Sequence, residues 1–270
     1  MKIIEYKDLL KYDFPVNELF EFCVIKNSEK FYFKFKYTPE SKNFLVLSNG
    51  AVNKKKKKPP VYMRSNWSND FDASCLFIDD KTVHGVPINI GWGFGKKDRY
   101  YLYDYHRIVL ELCEKFNFEA NRVFYFGSSA GGFMSTILAT IHPGSVAIVN
   151  NPQMFVYNYD EKAVNLLYTK LVPGLTKKEI EKKYIRRLST IAMMRLKKNV
   201  PRLFYIQNRA SEEDMKRHVD VFNKRLKLYN MDSDKIQYLL YYDEEMGHSP
   251  LDKIETVNIV NRILNNEFTF

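Results

Sequence analysis

Val123-Phe124-Tyr125-Phe126-Gly127-Ser128-Ser129-Ala130-Gly131-Gly132 reads as a strand, a sharp turn and the start of a helix, with a serine at the apex. The apolar, aromatic run before Gly127 suits a buried strand, and Met134, Ile137, Leu138 and Ile141 then recur at helical spacing. Small residues around Ser129 let helix and strand approach closely in a strained turn that exposes the hydroxyl above a sheet. The segment is therefore a nucleophile elbow. It has neither the glycine spacing of a dinucleotide site nor the Lys-Ser/Thr of a P-loop.

A serine hydroxyl needs a base to take its proton and an acid to orient that base, in the chain order Ser, acid, His. His84 and His106 precede the elbow, and His142 follows its helix too closely. His218 falls within a helical pattern over 211–229. His248 lies in Glu245-Met246-Gly247-His248-Ser249-Pro250, after a strand-like run and before a terminal helix, and is the expected base. The acid is expected just past the strand at 203–207, where Glu212, Glu213 and Asp214 are all candidates and Asp214 is the first choice. The same residues also read as the acid-rich first turn of a helix capped by Ser211.

An oxyanion hole needs two backbone N–H groups. Ala130, next after the serine, supplies one. Gly50 or Ala51, in the turn after the strand at 44–48, is expected to supply the other, although Asn49-Gly50 is also a hairpin signal.

Strand-like runs at 31–37, 44–48, 75–78, 123–126, 146–149, 203–207 and 236–242 alternate with helical patterns from the middle of the chain onward. That predicts an α/β fold with a mostly parallel central sheet flanked by helices. With 270 residues, 45% of them hydrophobic, a single domain spanning 1–270 is expected. A strand-free stretch at about 157–198, broken at Pro173-Gly174 and with Ser189 as a cap, predicts a helical lid insertion.

Three cysteines, Cys23, Cys75 and Cys113, suggest neither a disulfide framework nor a metal site. Acids near the amino terminus and the lack of a long apolar run predict a cytoplasmic protein with no membrane span. Forty-two Lys and Arg against 32 acids give a net charge of +10, which favours an anionic partner. No nucleic-acid-binding signature accompanies it. The lysine run at 54–58 follows the expected oxyanion loop, so Lys54 and Lys55 are candidate substrate contacts, or simply a solvated loop. Oligomeric state is not legible.

Ser48-Asn49-Gly50-Ala51, Gly91-Trp92-Gly93-Phe94-Gly95, the elbow, and Asn151-Pro152-Gln153 together resemble a group of bacterial α/β-hydrolase-fold proteins of surface-polysaccharide synthesis. That group includes capsular polysaccharide O-acetyltransferases. The resemblance implies the α/β-hydrolase fold, with Ser129 as nucleophile, Asp214 ahead of His218 as acid, and His248 after Gly247 as base. It implies acetyl-CoA as co-substrate, with no bound cofactor or metal, and a polysaccharide, here an anionic one, as acceptor. Asn151 and Gln153 would then bind sugar hydroxyls or pin the lid. A serine esterase or deacetylase is the alternative, since water and a sugar hydroxyl resolve an acyl-serine by the same chemistry. A non-catalytic binding protein is a third reading.

Overall fold

The apolar runs become strands because the chain covers both of their faces. In the computed structural model, which describes residues 1–268, these are β1 (Lys2–Glu5), β2 (Leu19–Lys26), β3 (Glu29–Lys36), β4 (Phe44–Ser48), β5 (Ser74–Ile78), β6 (Val123–Ser129), β7 (Val146–Pro152), β8 (Arg202–Asn208) and β9 (Ile236–Tyr241). They form one sheet of nine strands in the order β1-β2-β3-β5-β4-β6-β7-β8-β9. The strands from β5 through β9 pair parallel, while β3 runs antiparallel to both β2 and β5. The strands β1 and β2 were not anticipated from the sequence; β2 alternates only weakly and takes its place through an eight-residue register with β3. In β3, by contrast, Phe31, Phe33 and Phe35 are buried at every second position, with half-buried Tyr32 and Lys34 between them.

The helices are α1 (Tyr101–Phe116), α2 (Ala130–Ile141), α3 (Glu161–Leu171), α4 (Lys177–Lys183), α5 (Ile185–Leu188), α6 (Thr190–Lys197), α7 (Glu212–Asp214), α8 (Asp220–Leu228) and α9 (Lys253–Leu264). One face of the sheet, with Tyr125, Ala147, Val149 and Tyr205, packs against α1 and α2 in the larger core. The opposite face, with Phe124, Phe126, Ile148, Phe204 and Ile206, packs against Val260, Ile263 and Leu264 of α9. Successive residues of a central strand thus meet different apolar layers, so their sequence reads as a continuous hydrophobic run.

Four helices, α3 to α6, fill the segment between β7 and β8. Gly174 turns the chain between α3 and α4 with φ +85°, and the Ser189 hydroxyl accepts from the Ala192 N–H to cap α6. Arg187 of α5 donates to the carbonyls of Phe94 and Lys96, tying this segment to the loop before α1. Among the described residues, no helix is long and apolar enough to cross a membrane.

Candidate active site

Ser129 ends β6 in a backbone conformation of φ 54° and ψ −123°, and α2 begins at the next residue. Glycine permits this turn by absence: a Cβ on Gly131 would stand 2.6 Å from the Ser48 carbonyl oxygen, and one on Gly132 would stand 2.7 Å from Pro152 Cβ. A Cβ on Gly127 would collide with the Gly131 carbonyl. Helix α2 can therefore start directly on the sheet edge, between β4 and β7.

Side chains from the end of β6, from α7 after β8 and from the loop after β9 meet there. Ser129 Oγ lies 3.0 Å from His248 Nε2, and His248 Nδ1 lies 2.7 Å from Asp214 Oδ2. Ser211 Oγ donates to the same carboxylate oxygen at 2.7 Å. Asp214 is buried, whereas Glu212 pairs with Lys216 at 2.9 Å and Glu213 with Arg217 at 3.2 Å, both on the exposed side of the same turn. The three acids thus point in different directions, and only Asp214 meets the imidazole. A hydroxyl, an imidazole and a buried carboxylate in this order can relay a proton from serine to histidine while the acid holds the ring.

His248 sits on a loop fastened by three buried asparagines. Asn151 Nδ2 donates to the Ser249 carbonyl at 2.9 Å and the His248 carbonyl at 3.3 Å, and Asn151 Oδ1 accepts the Asn208 N–H at 2.8 Å. Asn208 Nδ2 donates to the carbonyls of Asp243 and Gly247, and Asn150 Oδ1 accepts the Leu251 N–H. Asn151 is wholly buried with both ends of its amide occupied, so it is not a contact for sugar hydroxyls. It also pins the His248 loop rather than the helical insertion. Sequence reasoning missed Asn150 and Asn208; their signal was an asparagine closing an otherwise apolar strand.

Gln153 likewise departs from the sugar-binding expectation. It is wholly buried, and its Nε2 donates to Ser129 Oγ at 2.9 Å while its Oε1 accepts the Trp92 indole N–H at 2.6 Å. Because the indole can only donate, the amide orientation is fixed and Nε2 must face the serine. Lys54 is corrected in the same way. Its ammonium donates to the carbonyls of Val83 and, at 2.6 Å, Val86, and burial lowers its pKa. Those carbonyls occupy the charge expected to hold substrate. Lys55 is exposed in the neighbouring loop.

Of the two backbone donors expected for an oxyanion hole, Ala130 opens α2. The Gly50 N–H points at Met63 Sδ, 3.3 Å away, and a Cβ at Gly50 would lie 3.5 Å from the Ser128 carbonyl, so this backbone runs against the elbow. Ala51 is exposed. A thioether is a weak acceptor, which leaves the Gly50 N–H available to a stronger one.

Beside His248 opens a cavity of about 740 Å³, lined in part by Tyr159, Asp160, Glu212, Glu213 and His218. Burial pushes the His218 pKa down to about 4, and its Nδ1 is buried without a partner. The walls are richer in carboxylates than in cations, contrary to what the overall charge suggests. Among the described residues, no group of three or more His, Cys, Asp or Glu side chains is placed to hold a metal ion.

Comparison with known proteins agrees with this architecture. The profile of the prolyl oligopeptidase family matches residues 92–265. No curated protein sequence matches the chain. Among solved structures, the capsule O-acetyltransferase of Neisseria meningitidis serogroup A superposes with a TM-score of 0.64 at 13% identity, covering 89% of this chain and 96% of that one. A mutant of that enzyme has been solved in complex with CoA. An esterase/lipase from an uncultured bacterium gives 0.60 at 14% identity, covering 97% and 89%. An S-formylglutathione hydrolase from Agrobacterium tumefaciens gives 0.59 at 14% identity, covering 92% and 91%. At such identities the likeness shows the fold, which is that of the α/β-hydrolases.

Proposed function

The chain belongs to the prolyl oligopeptidase family, and on that premise we propose that it is a serine-nucleophile acyltransferase moving an acetyl group from acetyl-CoA to a hydroxyl of a bacterial surface polysaccharide. The observation that carries the reading is the hydrogen-bonded series Ser129 Oγ, His248 and Asp214, at 3.0 and 2.7 Å. The donor and acceptor rest on likeness to the capsule enzyme and its CoA complex.

Ser129 Oγ attacks the thioester carbonyl as its proton passes to His248 Nε2. Asp214 orients the ring and stabilises the imidazolium. The tetrahedral oxyanion accepts from the N–H groups of Ala130 and Gly50, the latter releasing Met63 Sδ. Collapse expels the CoA sulfur, which takes the proton from His248 and leaves acetyl-Ser129. An acceptor hydroxyl then gives its proton to His248 and attacks the acetyl carbon, and the departing Ser129 oxygen recovers the proton.

Gln153 adds one donor to this scheme. Its N–H meets Ser129 Oγ whenever that oxygen carries charge, on attack and again on departure. Tyr159 and Asp160, at the start of the helical insertion, line the cavity beside His248. A cytoplasmic setting, where acetyl-CoA is available, goes with this donor, as do three cysteines that are free and buried.

Ester hydrolysis is the second reading, and the 39% exposure of the His248 side chain favours it, because water can reach the base. Intact-protein mass spectrometry after brief incubation with acetyl-CoA, with Ser129→Ala and His248→Ala as controls, tests the proposal. A serine-dependent gain of one acetyl group, or serine-dependent release of CoA, supports transfer. Neither signal, together with rapid hydrolysis of a small acetyl ester, assigns the protein as an esterase.

A further inference from the structure

Arg64 holds a charge that the Ser129, His248 and Asp214 series does not use. It lies in the loop between β4 and β5 with φ 65°, in the left-handed region that a non-glycine residue occupies only when its surroundings hold it there. Those surroundings are visible. Asn49 Oδ1 accepts the Met63 N–H at 2.9 Å, Asn49 Nδ2 donates to the Val61 carbonyl, and Asp79 Oδ1 accepts the Val61 N–H at 2.8 Å.

The half-buried guanidinium sits 5.2 Å from the Phe126 ring centre and 5.4 Å from that of Trp67. Its Nη2 donates to Ser128 Oγ at 2.8 Å, and its Nε is buried without a partner. Arg99, Arg217 and Arg262 each pair with a carboxylate, and Arg187 spends its donors on backbone carbonyls; Arg64, among the described residues, has neither. Burial without a counter-charge draws its pKa down to about 10, so it remains a cation at neutral pH. A cation partly withdrawn from water with no counter-charge is costly to keep, and a planar guanidinium that spends one donor on a neutral hydroxyl matches the oxygens of a carboxylate or phosphate.

We propose that Arg64 is the anion-recognising residue of the catalytic centre and takes a carboxylate or phosphate carried by the acyl acceptor. The inference rests on Ser129 being the nucleophile. Arg64 touches Ser128, the residue before Ser129, and follows Met63, whose Sδ accepts the Gly50 N–H where that backbone runs against the elbow, so Arg64 borders the Gly50 side of the catalytic centre. The phosphates of CoA are a full pantetheine arm from the thioester, whereas the carboxylate or phosphate of a charged sugar is on the same ring as its hydroxyls, or next to it. The charge preference expected from the lysine run thus moves to Arg64, since Lys54 is engaged elsewhere.

Calorimetric titration of the whole protein with glucuronate, glucose 1-phosphate and glucose, repeated on Arg64→Met and Arg64→Lys, tests this. The charged sugars are expected to bind about tenfold or more tighter than glucose, with the preference lost in Arg64→Met and partly kept in Arg64→Lys. Reaction of Ser129 with a small neutral phosphonate should block their binding. No preference in the wild type, a preference unchanged in both variants, or binding indifferent to the phosphonate overturns the proposal. Tighter binding of CoA than of pantetheine that depends on Arg64 overturns it too, since the anion would then belong to the donor. If Arg64→Met does not fold, Arg64→Lys and the wild-type preference still decide. Failure of the phosphonate to label Ser129, with Arg64-dependent binding of charged sugars intact, refutes the nucleophile assignment and leaves the anion site standing.

Discussion

Gln153 grips Ser129 at both ends: its side-chain Nε2 donates to Ser129 Oγ at 2.9 Å, and its backbone N–H donates to the Ser129 carbonyl at 3.1 Å. With one lone pair of Oγ held by this amide, the serine proton is directed at His248. Replacing Gln153 by Met should slow phosphonylation of Ser129 by about 10–100-fold, the worth of one hydrogen bond to a charged oxygen. Gln153→Glu should be slower still, because a carboxylate opposes charge on Oγ. Stopped-flow labelling of the folded variants checks both, and equal rates in wild type and Gln153→Met would remove the residue from the chemistry.

Ser129→Ala and His248→Ala are each expected to lower acyl transfer or ester hydrolysis by about 10³-fold or more, and Asp214→Asn by a comparable factor. Glu212→Gln and Glu213→Gln should stay within about twofold, since those carboxylates, in the cavity wall, form exposed pairs with Lys216 and Arg217 and neither meets the imidazole. Steady-state rates across the five variants separate the acids cleanly.

Asn151→Ala strands the Asn208 N–H and the carbonyls that Asn151 serves in the His248 loop. A loss of about 1–3 kcal/mol of stability is expected, with faster amide exchange over residues 243–250 and a lower kcat. Hydrogen-exchange mass spectrometry reads the loop directly.

Gly131→Ala introduces a Cβ 2.6 Å from the Ser48 carbonyl oxygen, a backbone atom that cannot swing aside. Destabilisation of about 3 kcal/mol or a failure to fold is expected, measured as a shift in the urea midpoint.

Burial lowers the pKa of His106 to about 3 and those of His142 and His218 to about 4, from an ordinary 6.5. The unfolded chain therefore takes up protons that the folded protein refuses. The stability these groups contribute is complete above pH 6.5 and drains away as pH falls through the window from 6.5 to 3. Urea midpoints should decline across that window, and His142→Gln, which keeps a partner for the Tyr125 hydroxyl, should decline less steeply.

The α/β architecture and the elbow were readable because both are local: a buried strand, a run of small residues and a helical period lie within about twenty consecutive positions. Ser129 and His248 followed from chain order, but the choice among Glu212, Glu213 and Asp214 did not. Successive residues of a helical turn point about 100° apart, so packing decides which carboxylate faces the imidazole. The same holds for the polar residues around the serine. Asn151 and Gln153 have amides that look alike in sequence, yet one secures the His248 loop and the other meets Ser129, because a sharp turn at the end of β7 sends them in different directions. Arg64 stands 65 positions before Ser129 and carries no motif. The parallel pairing of β4 with β6 brings their carboxyl ends to one edge of the sheet, and through this long-range contact a loop arginine comes to lie against the elbow.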